Sequence, residues 1–495
     1  MRRSSLILSW VLLSTWCVLG VSQTHPSFTQ RVLRCLSQFA VESSSSVAHP
    51  MELWRGTSDL AGGHVVIVDA YSSGNLLAQA FRARGHEVLH MRSGMKISER
   101  LKRTFVRDDF KDDFDPDGRV DNAISMLDGK PVVLVIPGSE SGVTFAETLA
   151  TKMGTPTNDP NLIDARRNKI WMARALSGKG FEEHGLYVPR QEFIYSPDEA
   201  VRWVRAHLGT WSEIPGVVVK PILGAGGSQV HLVGSDAELR AAVAEILAED
   251  DHFGMRNIGA IVSEKIVGDE FALNGAVLMH NGSLEVALTD AWYYNKHKAN
   301  GSAPKYGHED LVAFETLHPQ VYPALRAGLS ALGYLRGGFH QEVIVQEGTG
   351  RLYFIEVGPR LYGAGNPRIA GTCTNYGQVR ALVDSYLAQA HFLQHTGKPY
   401  ELSAHASVFN VNAPASEVPL YVNAQHIPML RQTLGSSLFE ILPFFNDGDT
   451  IRPTVDLGST LFQIEIRHRD RRIVDGFIRY LAQWQSDGYF WRSAP

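Results

Sequence analysis

Cysteine is scarce in this chain: 495 residues hold three, Cys17, Cys35 and Cys373, without metal-ligand spacing and without the pattern of a disulfide framework. Thiol chemistry and structural zinc are set aside on that ground. Positive charge is neither in excess nor clustered. The formal net charge is −5 and no run of Lys/Arg stands out, so nothing argues for nucleic acid as a partner. The glycine-rich stretch at 224–227 fits neither G-x-x-x-x-G-K-[ST] nor G-x-G-x-x-G, which argues against a P-loop and against a dinucleotide fingerprint. The first turn of the N-terminal α/β pattern, Ala70-Tyr-Ser-Ser-Gly74, also lacks that fingerprint and speaks against a nicotinamide-dependent oxidoreductase. No internal repeat is present.

Only one apolar run is conspicuous, residues 6–21 (LILSWVLLSTWCVLGV), and its 16 residues are short for a membrane span. Arg2 and Arg3 precede it, and the small residues Gly20 and Ser22 lie at its end. That pattern predicts a signal peptide over 1–22 and a secretory or extracellular destination. The alternative is an upstream extension of a cytoplasmic protein. Two sequons, at Asn281 and Asn300, suit a secretory route. Residues 23–61, with the serine run at 43–46, read as a linker.

What is present has the balance of a globular protein, 44% hydrophobic and 20% charged, with a length that calls for two to four structural units. HVVIVDA, a turn, NLLAQAFRARGH and EVLHM give strand, helix and strand, and PVVLVIPG adds a further strand. This is the opening of a doubly wound α/β unit. Helices are expected over ESGVTFAETLATKMG, DARRNKIWMARALSGKG, SPDEAVRWVRAHL and residues 235–250, with strands at GVVVK and SQVHLV between the last two. Alternating strands continue from Phe271 to Asn295, and FHQEVIVQEGTGRLYFIEV reads as a hairpin.

Three features carry chemistry. Lys220 ends an apolar strand, and Gly224, Gly226 and Gly227 follow it, so backbone N–H groups can approach an anion beside a point charge. An ordinary glycine-rich turn would look the same. In the hairpin, a Gly348-Thr349-Gly350 loop sets Glu347 against Arg351 and places Glu342 opposite Glu356 among apolar neighbours. Two facing carboxylates repel unless a cation lies between them, and magnesium takes one or two carboxylates with water and phosphate. A shifted register would separate them. Glu264 and Glu270 could serve a nucleotide, or could be charged strand-edge residues.

Taken in order, Lys169, Lys220 with its glycine loop, Glu264-Lys265, Glu270, Glu342 and Glu356-x-x-x-Arg360 resemble the ATP-grasp superfamily, and within it carboxylate–amine ligases such as the L-amino acid ligases. The resemblance runs over about residues 62–490, through VVIVDAYSSG, IPGSESGVTFAETLA, RRNKIWM, GGFHQEVIV, FIEVGPRLYGAG and DGDTIRPTVDLGS. It implies an α/β protein with an N-terminal Rossmann-like domain over 62–160, an ATP-grasp domain over 161–400 with a lid lobe at about 190–262, and a C-terminal α/β domain over 401–495. It also implies that Lys169 and Lys220 hold the phosphates of ATP beneath the loop of Gly224, Gly226, Gly227 and Ser228. Glu264 and Lys265 would meet adenine at the hinge of Ile266 and Val267, and Glu270 the ribose. Glu342 and Glu356 would hold magnesium, which manganese can replace, and Arg360 would steady the transferring phosphoryl group. The substrates implied are a small carboxylate and a small amine, with amino acids expected and a non-amino-acid carboxylate as the alternative, and a homodimer is compatible. Neither a phosphate lysine nor a metal carboxylate is lost, which speaks against a nucleotide-binding pseudoenzyme. Many relatives have an asparagine where this chain has Gly358, and its absence implies a weaker second metal site. For the substrates, the segment 289–301 and the loop 360–365 with its small Ala364 are candidate pocket walls. Glu140 could hold a substrate ammonium or cap a helix, and His340 is expected to be structural.

Overall fold

The computed structural model describes residues 62–177, 181–298 and 304–493. The expected signal peptide, the linker and Asn300 lie outside them. Asn281 is exposed in a turn. No helix among the described residues is long and apolar enough to cross a membrane. The described residues form one compact unit.

The first layer is a parallel sheet of β1 (His64–Val68), β2 (Glu87–Met91), β3 (Asp112–Phe114) and β4 (Val132–Pro137), in the order β3-β2-β1-β4. β1 is buried at every position, as an unbroken apolar run in a sheet covered on both faces should be. Ile67 packs with Phe81 of helix Gly74–Arg82 on one face, and Val66 with Leu149 of helix Val143–Met153 on the other. That second helix stops where Gly154 turns left-handed, φ 66°. β3, with the sequence Asp-Asp-Phe, carries no apolar alternation and gives no strand signal in the sequence.

The expected helix from Asp164 onward is broken. A 3-10 turn, Asp164–Arg166, precedes helix Lys169–Leu176, because Asn168 caps it by accepting N–H bonds from Ile170 and Trp171. The break sets Lys169 at the first position of the helix.

A second, antiparallel sheet comprises β6 (Gln191–Ile194), β7 (Val217–Lys220), β8 (His231–Val233) and β9 (Ala260–Glu264), ordered β6-β9-β7-β8. Helices Pro197–His207 and Asp236–Ala248 cover it, each N-capped by a serine, Ser196 or Ser235.

The third sheet has nine strands in the order β17-β19-β15-β12-β11-β10-β13-β14-β5. They are β5 (Leu186–Tyr187), β10 (Gly268–His280), β11 (Ser283–Lys298), β12 (Pro304–Leu311), β13 (Arg336–Gln346), β14 (Leu352–Gly358), β15 (His405–Val411), β17 (Leu438–Pro443) and β19 (Phe462–His468). The segment expected as a separate C-terminal domain thus extends the central sheet, with β15 pairing β12 at Glu309↔Val408. Its remaining strands, β16 (Leu420–Val422), β18 (Thr450–Ile451) and β20 (Trp491–Arg492), form a small sheet of their own.

Candidate active site

β13 and β14 set Glu342 directly opposite Glu356, as the hairpin count requires, but by another route. The loop is one residue longer, 347–350: Gln346, not Glu347, faces Arg351, through N–H donation from Gln346 to the Arg351 carbonyl at 2.8 Å. A bulge between Glu342 and Val343 then restores the register. Burial pushes the Glu342 carboxyl up, and the neighbouring Glu270 and Glu356 carboxylates push the same way against the pull of Lys296 and Lys169. Among the described residues no three His, Cys, Asp or Glu side chains are gathered as a metal cluster. The glutamate pair therefore offers two hard oxygen donors, and a divalent cation there would take its remaining ligands from phosphate and water.

The two lysines converge on this pair from different elements. Lys169 Nζ lies 3.0 Å from Glu356 Oε2 and donates to the Gly224 carbonyl at 3.4 Å, tying the carboxylate strand to the glycine loop. Lys220, at the end of β7, has its pKa lowered to about 8 by burial and by Lys169, against the pull of Glu356, Glu342 and Glu270. Such an uncompensated cation favours an incoming anion. In the loop, Gly226 and Gly227 have φ of 63° and 78°, a conformation that turns successive N–H groups without side-chain strain. The Gly226 carbonyl accepts from Leu457 N–H at 3.0 Å, and the Leu457 carbonyl accepts from Arg100. The C-terminal segment and the first layer therefore hold the loop from outside.

Arg360 donates through Nε to Glu140 Oε2 at 2.5 Å, and Arg167 lies 3.3 Å from Glu140 Oε1. Burial alone would raise the Glu140 carboxyl, yet Arg360, Arg167 and Lys169 bring it down to about 2. Glu140 is thus neither a free ammonium site nor a helix cap; both its oxygens face arginines, and it positions Arg360. The same pair accounts for Gly358. A Cβ there would stand 3.0 Å from Glu140 Oε2 and 3.4 Å from Arg360 Cγ, so glycine leaves room for the ion pair.

The nucleoside-side residues are also engaged. Glu264 pairs with Arg190 at 2.8 Å, and Glu270 accepts from Lys296 Nζ at 2.5 Å. Lys265, Ile266 and Val267 line the same cavity, as does Ser228. Lys296 was missed in the sequence, although its segment was singled out. It sits 4.7 Å and 4.3 Å from the ring centroids of Tyr294 and Tyr306, and Glu270 and Glu342 raise its pKa despite burial. A lysine recurring at strand spacing beside two tyrosines was the available signal. His340 stacks on Tyr362 at 4.5 Å and bonds Asn274 through Nδ1 at 2.7 Å, while burial holds its pKa well below the usual value. These neighbours fix its ring at the cavity wall.

The lysines, the loop glycines and Arg360, with Glu140, Glu264, Glu270, Glu342 and Glu356, line one cavity of about 1200 Å³. That exceeds the roughly 300–1,000 Å³ of a pocket for one small ligand. A nucleotide together with a second molecule fits that space.

A lid sheet and a central sheet closing on lysines, a glycine loop and paired glutamates define the ATP-grasp class. The family model for the ATP-grasp domain matches residues 213–375. Dapdiamide A synthase of Enterobacter agglomerans is 28% identical over 411 residues, covering 80% of this chain and 89% of that protein. An L-amino acid ligase from Bacillus licheniformis superposes with a TM-score of 0.64 at 18% identity, covering 85% of this chain and 97% of that one. An ATP complex of carboxyaminoimidazole ribonucleotide synthase from Aspergillus clavatus gives 0.60 at 13% identity, covering 86% and 99%. Residues 213–375 thus form an ATP-grasp domain, and over most of its length the chain is similar to ligases of that class.

Proposed function

We propose that the chain joins two amino acids, or close derivatives of them, through an acyl-phosphate. The observation that carries the reading is the bridge made by Lys169, one ammonium touching both the carboxylate pair and the glycine loop. It marks the place where phosphate, cation and substrate carboxylate would meet. Similarity to a dapdiamide synthase and an L-amino acid ligase supports amino-acid substrates.

In this reading Lys169 and Lys220 bind the phosphates of ATP, and the backbone of Gly224–Ser228 covers them. The donor carboxylate attacks the γ-phosphorus and ADP leaves; the amine then attacks the acyl carbon and phosphate leaves. Arg360, fixed by Glu140, donates hydrogen bonds to the oxygens on which charge collects. Glu342 and Glu356 would hold magnesium, which when bound neutralises phosphate charge. The tie from Leu457 to Gly226 keeps the loop down and water away from the acyl-phosphate.

The test is phosphate release from ATP and magnesium across paired amino acids. Release should require two particular amino acids and fall at least about 100-fold in Glu356→Ala. Bound ATP with no release for any pair would refute amino-acid ligation.

A further inference from the structure

A second set of facing carboxylates lies away from the phosphate groups, on the C-terminal strands. Glu440 of β17 stands opposite Glu465 of β19, Glu465 opposite Val408 of β15, and Val408 opposite Glu309 of β12. One line of register therefore carries three glutamates on a single face of the sheet. Among the described residues Arg368 is the one cation in an ion pair with this line, touching Glu440 and, at 3.5 Å, Glu465. Glu309 has only neutral donors: Tyr362 at 2.5 Å, Asn366 at 2.9 Å and Asn410 at 3.3 Å.

The independent sign of a ligand is Gln463, two residues from Glu465 on the same face. Gln463 is 1% exposed and lines the cavity; its Nε2 donates to Asn410 Oδ1 at 3.0 Å, while Oε1 has no hydrogen-bond partner. Oε1 of Glu465, itself fully buried, is also without one. Buried acceptors left unmade cost free energy. Three carboxyl groups face one guanidinium; burial, with Glu309 pushing the same way against Arg368, raises the Glu465 carboxyl to about 7, and burial raises Glu309 as well. What satisfies both deficits is a compact cation with several N–H donors and no acceptors, which describes an alkylammonium.

We infer that Glu309, Glu440 and Gln463, which line the cavity, with Glu465 behind them against Gly365, form a subsite for the α-ammonium of the amino acid whose carboxylate is activated. This rests on the amino-acid ligase reading and deepens it. The reacting amine of the other substrate must lose its proton before it attacks. Nearby carboxylates favour the charged ammonium, so this wall suits an amine that stays out of the reaction. Keeping the donor's own amine protonated also fixes the direction of the bond, since that amine cannot serve as nucleophile. The wall adjoins the loop after Arg360: Glu465 lies against Gly365, where any Cβ would collide with its carboxylate, and Ala364 beside it lines the cavity.

The experiment is calorimetric titration of the full chain, held with a non-hydrolysable ATP analogue and magnesium. The probes are L-alanine, L-methionine and L-phenylalanine, set against propionate, 4-(methylthio)butanoate and 3-phenylpropionate. At least one amino acid should bind about tenfold or more tighter than its desamino partner. Glu465→Gln and Gln463→Leu should bring that ratio towards one, with affinity for the ATP analogue and thermal midpoint near wild type. Equal binding of amino and desamino acids, an unchanged ratio in both variants, or no binding by any of the amino acids would overturn the subsite. A retained ammonium preference with no phosphate release for any pair would instead refute ligation and leave the subsite standing.

Discussion

At the scale of single residues the informative group is Glu140, a buried carboxylate held by two guanidiniums. Its folded pKa of about 2 lies below the ordinary 4.5, so its stabilising contribution is complete above about pH 4.5 and is lost as pH falls towards 2. The shift corresponds to about 3 kcal/mol. Glu140→Gln should therefore cost roughly that much at pH 7, and the gap to wild type should narrow at pH 3, measured by urea unfolding. A gap equal at both pH values would show that the ion pair does not set it. Gly358 supplies a related prediction. If its role were only to omit a metal ligand, Gly358→Asn would restore one and improve magnesium use. Because its Cβ would crowd Glu140 and Arg360, the variant should instead lose kcat by about tenfold or more, with no gain in apparent magnesium affinity.

Elements show where the sequence was legible and where it was not. The facing of Glu342 and Glu356 could be counted from the hairpin because side-chain alternation is strict. The count succeeded although its loop was one residue too short, since a bulge beside Glu342 shifted the ladder back. Bulges leave no reliable trace in a single sequence: no glycine marks this one, whose extra residue is Ile355, between Phe354 and Glu356. Local signals such as the serine caps and Gly154 placed the helices well, and the cap at Asn168 explains why one expected helix starts late. The hold on the glycine loop could not be read at all, since it joins Arg100, Gly226 and Leu457, which are far apart in the chain. Arg100 also lies over the Phe444 ring at 3.3 Å. Arg100→Met keeps an apolar stem on that ring and removes the bond to the Leu457 carbonyl. The KM for ATP should rise about three- to tenfold with folding unaffected, as the loss of one charged hydrogen bond predicts. An unchanged KM would mean the loop holds its position alone.

For the whole molecule, the ordered series of motifs made the ATP-grasp architecture legible, whereas the place of residues 401–495 was not. That segment has its own apolar core, in which Phe409, Ile464, Ile478 and Leu481 pack together, so a separate domain was a natural reading. Its join to the rest is strand pairing between residues about a hundred apart, a non-local contact that periodicity cannot reveal. The consequence can be tested by removing it. A chain ending at residue 400 would lose β15, β17 and β19, leaving as a bare edge β12, whose Tyr306 and Leu311 are buried in the intact molecule. An apolar edge strand invites pairing with other chains. The truncated protein would also lack Leu457, and with it the outer support of the glycine loop. If the segment is part of the sheet, the product should be largely insoluble, and any soluble fraction should lack both a cooperative thermal transition and binding of an ATP analogue. If the segment were a separable domain, residues 62–400 would fold cooperatively and bind the analogue with near-wild-type affinity. Those two outcomes do not overlap, because losing the ladder to β12 removes the cover of the ATP-binding sheet, whereas losing a tethered domain would leave that cover in place.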